Sequence, residues 1–213
     1  MASKKTYHHG DLRRALLEAA VARIGEAGPR GFTMREVARR AGVSHNAPYR
    51  HFRSRADLVD AVATQGFGEL TRAMVTAAKA CVEPTGRLRA CGLAYVGFAL
   101  RRPEHFAVMF DTPPSLVEKS ERSQAGRAAF EVLVKAVEGC LPGGAGDPLG
   151  TALVAWSLVH GIANLAIAER LPYRGRAQVL RFADTAIGDM LRRGLPDVRS
   201  VGLPAVAPVW PPC

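Results

Sequence analysis

Residues 33–55 contain the side chains of this sequence that are best suited to contact a DNA duplex. The guanidinium of Arg35 can pair with a guanine edge, and the amide of Asn46 can pair bidentately with adenine. Tyr49 and the basic residues after it can bind phosphate oxygens. Such contacts set the register and affinity of the protein on DNA but carry little sequence information. The predicted DNA-contacting residues are Thr33, Arg35, His45, Asn46, Ala47, Tyr49, Arg50, His51 and Arg55.

Some residues of this segment also have a purely structural interpretation. Tyr49 could be mostly packed, His51 could cap or pack, and Phe52 is predicted to be core. Arg39 and Arg40 suit a solvated helix face as well as a DNA contact.

The charge of the chain is concentrated at its N-terminal end. The net charge is +10, and residues 1–55 carry 12 basic and 4 acidic residues, whereas residues 56–213 carry 17 and 15. This asymmetry indicates a polyanionic partner for the N-terminal part, with a solvated basic surface as the alternative.

Residue sets that would indicate catalysis or metal binding are not found in the sequence. There is no Ser/His/Asp set, plausible carboxylate pair, glycine-rich phosphate loop or zinc-ligand spacing, so we expect neither an enzyme nor a cofactor. The four cysteines form no Cys-x-x-Cys pair, which favours free thiols in a reducing cytosol over disulfides. They are Cys81, Cys91, Cys140 and Cys213.

The uncharged stretch from Leu149 to Ala168 is long enough to span a bilayer. It contains polar residues such as His160 and Asn164, so we interpret it as a buried helix of a soluble bundle. The N-terminus lacks the apolar region of a signal peptide. We therefore expect a cytoplasmic protein with no membrane partner.

The pattern is helical throughout, which predicts an all-α fold. Asp11 is predicted to cap a first helix that ends at Gly28, and Thr33 with Glu36 forms a capping box at the start of a second. A turn at Gly42 leads to a third helix, which makes a helix-turn-helix.

The third helix is predicted to begin at Ser44 as its cap and to be distorted in its first turn by Pro48. A fourth helix capped by Ser54 follows and runs to about Cys81. Further helices are expected near 85–101, 103–111, 115–140, 148–170 and 174–193. We predict a DNA-binding domain over 1–55, a helical ligand-binding and dimerisation domain over 56–195, and a Pro-rich flexible tail over 196–213.

The segments YHHGDLRRALLEAAVARIGEAG and FTMREVARRAGVSHNAPYRHFRSRADL resemble the DNA-binding domain of TetR/AcrR-family regulators over roughly residues 7–67. The resemblance implies that the residues predicted above contact DNA. It also implies a homodimer in which the last two helices of each subunit form a four-helix bundle. Such a dimer would read a palindromic double-stranded operator.

The sequence Trp156-Ser-Leu-Val-His160-Gly161 is similar to the Trp-x-x-x-His-Gly motif of one regulatory domain of that family. Trp156, His160 and Asn164 share one helical face, so they could line a pocket or satisfy one another at a helix interface. For His160 we favour the structural role. The helices near 148–170 and 174–193 are the predicted dimer seam. Small residues on the first of them would allow close helix approach: Gly150, Ala152, Ala155, Gly161, Ala163, Ala166 and Ala168.

Aromatic and methionine residues of the second domain are candidates for a ligand pocket, although each could be plain core. The predicted pocket residues are Phe67, Tyr95, Phe98, Met109, Phe110, Phe130, Trp156, His160 and Asn164. They suit an apolar small-molecule effector. The sequence thus predicts a regulator that an apolar ligand releases from its operator. The alternatives are an activator or a regulator without ligand control, a nucleoid-type DNA binder and an α-helical enzyme.

Overall fold

In a computed structural model, the chain is described over residues 9–110, 120–141 and 146–195, with side chains from residue 12. Within these ranges it forms eight α-helices and one 3-10 helix and no strand, which confirms the all-α prediction. They are α1 His9–Ala27, α2 Met34–Arg40, the 3-10 helix Ala47–Arg50, α3 Arg55–Lys79, α4 Pro84–Arg101, α5 Pro103–Phe110, α6 Glu121–Glu138, α7 Pro148–Ile167 and α8 Gly175–Arg192. The predicted tail over 196–213 lies outside the described residues.

The described residues form two compact units. Residues up to 66 group with 104–122, and residues 67–103 group with those from 123 onward. The N-terminal unit is thus larger than the 1–55 segment predicted from sequence. It also takes in the first turns of α3 and all but the first residue of α5.

The core of the N-terminal unit is built on the apolar face of α1. Leu16, Ala20 and Ile24 are almost fully buried, as their helical spacing predicts. The helix ends where the N–H of Gly28 binds the carbonyl of Ile24, with Gly28 in the left-handed region at φ 75°. It begins at His9, so the prediction that Asp11 caps it was wrong: the helix continues upstream of that residue.

Helix α5 packs closely on two other helices of this unit. A Cβ atom at Gly25 of α1 would lie 3.3 Å from Cγ of Glu104. A Cβ atom at Gly66 of α3 would lie 2.5 Å from Sδ of Met109 and 3.2 Å from Cβ of His105. Glycine at these positions therefore lets α5 lie against α1 and α3.

In the second unit, α4 packs against α7 and α8. The approach is close at Gly92, where a Cβ atom would lie 2.7 Å from Cδ1 of Ile187. Four residues of the predicted dimer seam are buried inside the protomer, because this packing turns them inward. They are Gly150, Ala152, Ala155 and Ala163.

Among the described helices, only α7 is long and apolar enough to cross a membrane by length and composition. Its buried face includes Thr151, Val159 and Ile162. A core helix of a globular protein passes the same test, so this helix by itself is weak support for a membrane span.

The close approach of α3 and α5 predicts opposite effects for two glycines of one helix. Gly66→Ala should destabilise the protein, because overpacking against buried Met109 costs about 1–3 kcal/mol and exceeds the helix-propensity gain of about 1 kcal/mol. Gly68→Ala should stabilise it, since the added Cβ atom would meet only Nη1 of Arg72, at an ordinary contact distance of 3.6 Å. Urea denaturation measures both, and equal shifts in the same direction would contradict the packing argument.

Candidate nucleic-acid interface

The start of α2 is fixed by a reciprocal capping box. The backbone N–H of Thr33 donates to Oε2 of Glu36 at 2.7 Å, and the N–H of Glu36 donates to Oγ1 of Thr33 at 3.3 Å. This confirms the predicted start signal. Arg35, two residues after the cap, has an exposed side chain.

The turn after α2 closes with a pair of backbone hydrogen bonds around a left-handed glycine. The N–H of Val43 binds the carbonyl of Ala38 at 3.0 Å, and that of Gly42 binds Arg39 at 3.2 Å, with Gly42 at φ 69°. This Schellman arrangement needs the positive φ that glycine adopts without strain. It sets the direction in which the chain leaves α2.

The predicted third helix is shorter than expected. It is a 3-10 helix over Ala47–Arg50, and its N-cap is Asn46 without a side-chain cap bond, so the prediction of a helix beginning at Ser44 was wrong. Pro48 is the physical reason, because it has no N–H to donate and restricts the residue before it. The carbonyl of Ser44 instead accepts from the N–H of Ala47 at 3.0 Å.

Most of the side chains predicted to contact DNA are accessible. Tyr49 is 53% exposed, so the packed interpretation of this residue is not supported, whereas Phe52 is 4% exposed and lies in the core as predicted. Ala47 and His51 are half-buried. The exposed members are Thr33, Arg35, His45, Asn46, Tyr49 and Arg50.

Four charged residues join α1 to α2. Arg23 bonds to Glu26 of its own helix and to Glu36 at 3.0 Å, while Arg40 bonds to Glu26. Glu36 therefore caps α2 with one oxygen and holds Arg23 with the other. This network could not be predicted from the sequence, because residues 13 and 14 positions apart carry no local pairing signal. It gives Arg40 a structural partner.

Arg55 also has partners within the protein. Its Nη1 donates to the carbonyl of Pro29 at 2.6 Å, and its guanidinium lies 5.6 Å from the ring centroid of Phe32. The side chain of Arg55 thus links the start of α3 to the segment before α2. Ser54 caps α3 as predicted, since its Oγ accepts from the N–H of Asp57 at 3.1 Å. A phosphate contact by Arg55 stays a prediction.

The predicted pocket residues divide between the two units. Met109 and Phe110 belong to the N-terminal unit, whereas Tyr95, Trp156 and His160 belong to the second. In the second unit, Nε1 of Trp156 donates to Oη of Tyr95 at 3.1 Å, and that oxygen lies 2.8 Å from Nδ1 of His160.

The other aromatic pocket candidates of this unit are also buried. Phe67 and Phe98 are buried in the same unit, and Phe130 packs edge-on to Trp156 with ring centroids 6.1 Å apart. Asn164 is exposed and donates to the carbonyl of His160 at 3.1 Å. These bonds agree with the structural role that we favoured for His160, and a ligand-binding role for the set stays a prediction.

The capping box makes stability depend on the ionisation of Glu36. Hydrogen bonds from the backbone and side chain of Thr33 hold the pKa of Glu36 below its usual 4.5. Its contribution is therefore present above the unfolded-state pKa and is lost as pH falls through the lowered folded-state pKa. We expect the urea midpoint of the wild type to fall more steeply below pH 4.5 than that of Glu36→Gln. Parallel pH profiles would contradict this assignment.

Two segments of the chain match known sequence families. Residues 16–62 match the family model described as "Bacterial regulatory proteins, tetR family", and residues 88–191 match "Tetracyclin repressor-like, C-terminal domain". The HTH-type transcriptional regulator BetI of Rhizobium meliloti (strain 1021) is 38% identical over 78 residues, or 37% of this chain. The aligned stretch spans 38% of that protein's length.

Solved structures share the fold. A protein of unknown function from Rhodococcus sp. RHA1 is 38% identical, with 90% of this chain and 99% of that chain covered at a TM-score of 0.77. The regulator FadR from Bacillus subtilis in complex with stearoyl-CoA is 14% identical, with 86% and 99% covered at a TM-score of 0.71. The Trp-x-x-x-His-Gly subtype stays a prediction. The two family matches together show that the chain belongs to the TetR family of bacterial regulatory proteins.

Proposed function

We propose that the protein is a transcriptional regulator that binds a palindromic DNA operator as a homodimer. The observation that carries this proposal is the set of exposed side chains in the turn between the capped helices α2 and α3, namely His45, Asn46, Tyr49 and Arg50. An accessible turn fixed at both ends suits insertion into a major groove.

Two kinds of contact are assigned within this surface. Arg35 and Asn46 are proposed to read base edges, because both are exposed and carry bidentate hydrogen-bonding groups. Arg50 and Tyr49 are proposed to bind phosphates. Arg55, which donates a hydrogen bond to the carbonyl of Pro29, is proposed to position the turn and also to approach the DNA phosphate backbone.

Selection of bound fragments from genomic DNA tests the proposal and supplies the operator. Arg35→Ala should then cost about 1–3 kcal/mol on the operator and relax the preference at one base pair. Arg50→Ala should weaken binding to operator and random duplex alike and reduce the salt slope by about one. Recovery of no common sequence would overturn the proposal, and identical behaviour of the two variants would overturn the division of roles.

The dimer is proposed to form on the exposed face of α7. Val154 and Leu165 lie on one stripe of this helix, and they are 37% and 46% exposed although they are large and apolar. Gly161 has no atom within 4 Å of the Cβ position, so a partner helix could approach closely there. This face replaces the inward-facing alanines in the seam that we predicted from sequence.

Two arginine substitutions on α7 distinguish this interface from the protomer core. Leu165→Arg should yield a folded monomer with weak operator binding, because the charge lies on the exposed face. Ala163→Arg should instead unfold the protein, since Ala163 is 0% exposed within the protomer. Sedimentation velocity with circular dichroism measures both outcomes. A Leu165→Arg protein that remains a dimer would move the interface elsewhere.

We further propose ligand control by an apolar or acyl-bearing small molecule. The FadR structure holds stearoyl-CoA in a protein of this fold, and the second unit here is rich in buried aromatic residues. Operator and ligand would then weaken each other's binding by the same factor, as linkage requires. Repression, a location in the cytoplasm and the lack of enzymatic activity belong to the same proposal.

A further inference from the structure

A buried arginine stands at the start of α6, within the N-terminal unit. Arg122 is 4% exposed, although arginine is almost never fully buried without partners. Its Nη1 lies 3.0 Å from Oδ1 of Asp60 on α3. Its Nη2 donates to the carbonyls of Val108 and Met109, each at 3.3 Å.

These contacts make Arg122 a cap for α5 as well as an ion-pair partner. Val108 and Met109 are among the last four residues of α5, whose carbonyls lack intrahelical partners. A cation at a helix C-terminus is also favoured by the helix dipole. One planar guanidinium therefore binds a carboxylate on α3 and the open carbonyls of α5.

Met109 is held at two points. Its side chain fills the space left by Gly66 of α3, and its carbonyl accepts from Arg122. Asp60 and Gly66 lie six residues apart on α3, so α5 and the start of α6 are fixed along the first half of that helix.

The same arginine lines a cleft that reaches the DNA-binding turn. The cleft has a volume of about 200 Å³, and His51, Phe52, Asp60 and Arg122 all contribute to its walls. Phe52 ends the turn, and its N–H binds the carbonyl of Pro48 at 2.9 Å. Arg122 thus stands across one small cleft from the C-terminal end of the 3-10 helix.

We propose that Arg122 is a positioning residue for DNA recognition, which fixes α3 against α5 and thereby sets the orientation of the turn at residues 47–52. This proposal rests on the proposed DNA-binding function. Because Arg122 is buried, it would act on DNA binding only through the elements that it holds. Its loss should reduce selectivity for the operator, because base contacts need correct geometry, whereas attraction to phosphates depends mainly on charge.

The test compares operator and scrambled duplexes of equal length by fluorescence anisotropy, at fixed salt and below the melting temperature of each variant. Arg122→Met should lower operator affinity at least tenfold and leave affinity for the scrambled duplex within twofold. Arg127→Met is the matched control, since it removes the same charge from an exposed position of α6. It should change affinity for both duplexes by the same small factor.

Two milder variants keep the test decisive if Arg122→Met does not fold. Arg122→Lys retains the charge but lacks the planar fork, and Asp60→Asn removes the partner charge at constant size. Each should lower the ratio of operator to scrambled affinity at least threefold. An unchanged ratio in folded variants, even with a lower melting temperature, would show that Arg122 only stabilises the fold. A wild-type protein without preference for the operator would overturn the proposed function itself.

Discussion

A four-residue 3-10 helix cannot hold its own shape in water, because nucleating a helical turn is unfavourable and so short a segment forms few hydrogen bonds. Pro48 prevents this helix, which the proposed function places in the major groove, from extending towards its N-terminal side. The N-terminal unit therefore has to fix the turn from outside. The Schellman closure at Gly42 precedes it, buried Phe52 ends it, and the Ser54 cap starts the helix that follows.

The basic residues of this unit have two roles. Some hold its helices together, and others are free to contact DNA, but the net charge counts both alike. Arg23, Arg40 and Arg55 are bound to carboxylates or a carbonyl and hold α1, α2 and α3 together. Arg35 and Arg50 are exposed and can meet phosphates or bases. The number of ions displaced from DNA on binding should therefore be smaller than the 12 basic residues of positions 1–55 suggest.

Apolar surface is used differently on the two sides of α7. One side packs its small residues against α4, and the other leaves Val154 and Leu165 exposed. A single uncharged helix can therefore serve the protomer core and, as we propose, the dimer. The hydrogen-bonded Tyr95, Trp156 and His160 occupy the polar stripe of the same helix and its neighbour α4.

Four features were predictable from local sequence, because each depends on residues a few positions apart: the helical class, the capping box at Thr33, the cap at Ser54 and the buried stripe of α1. The family could also be recognised from the helix-turn-helix segment. Tertiary structure alone decided which alanines of α7 face inward, since periodicity defines a face but not its neighbour. It also decided the partners of Arg55 and Arg122, because these bonds join residues distant in sequence that only the packing of the helices brings together.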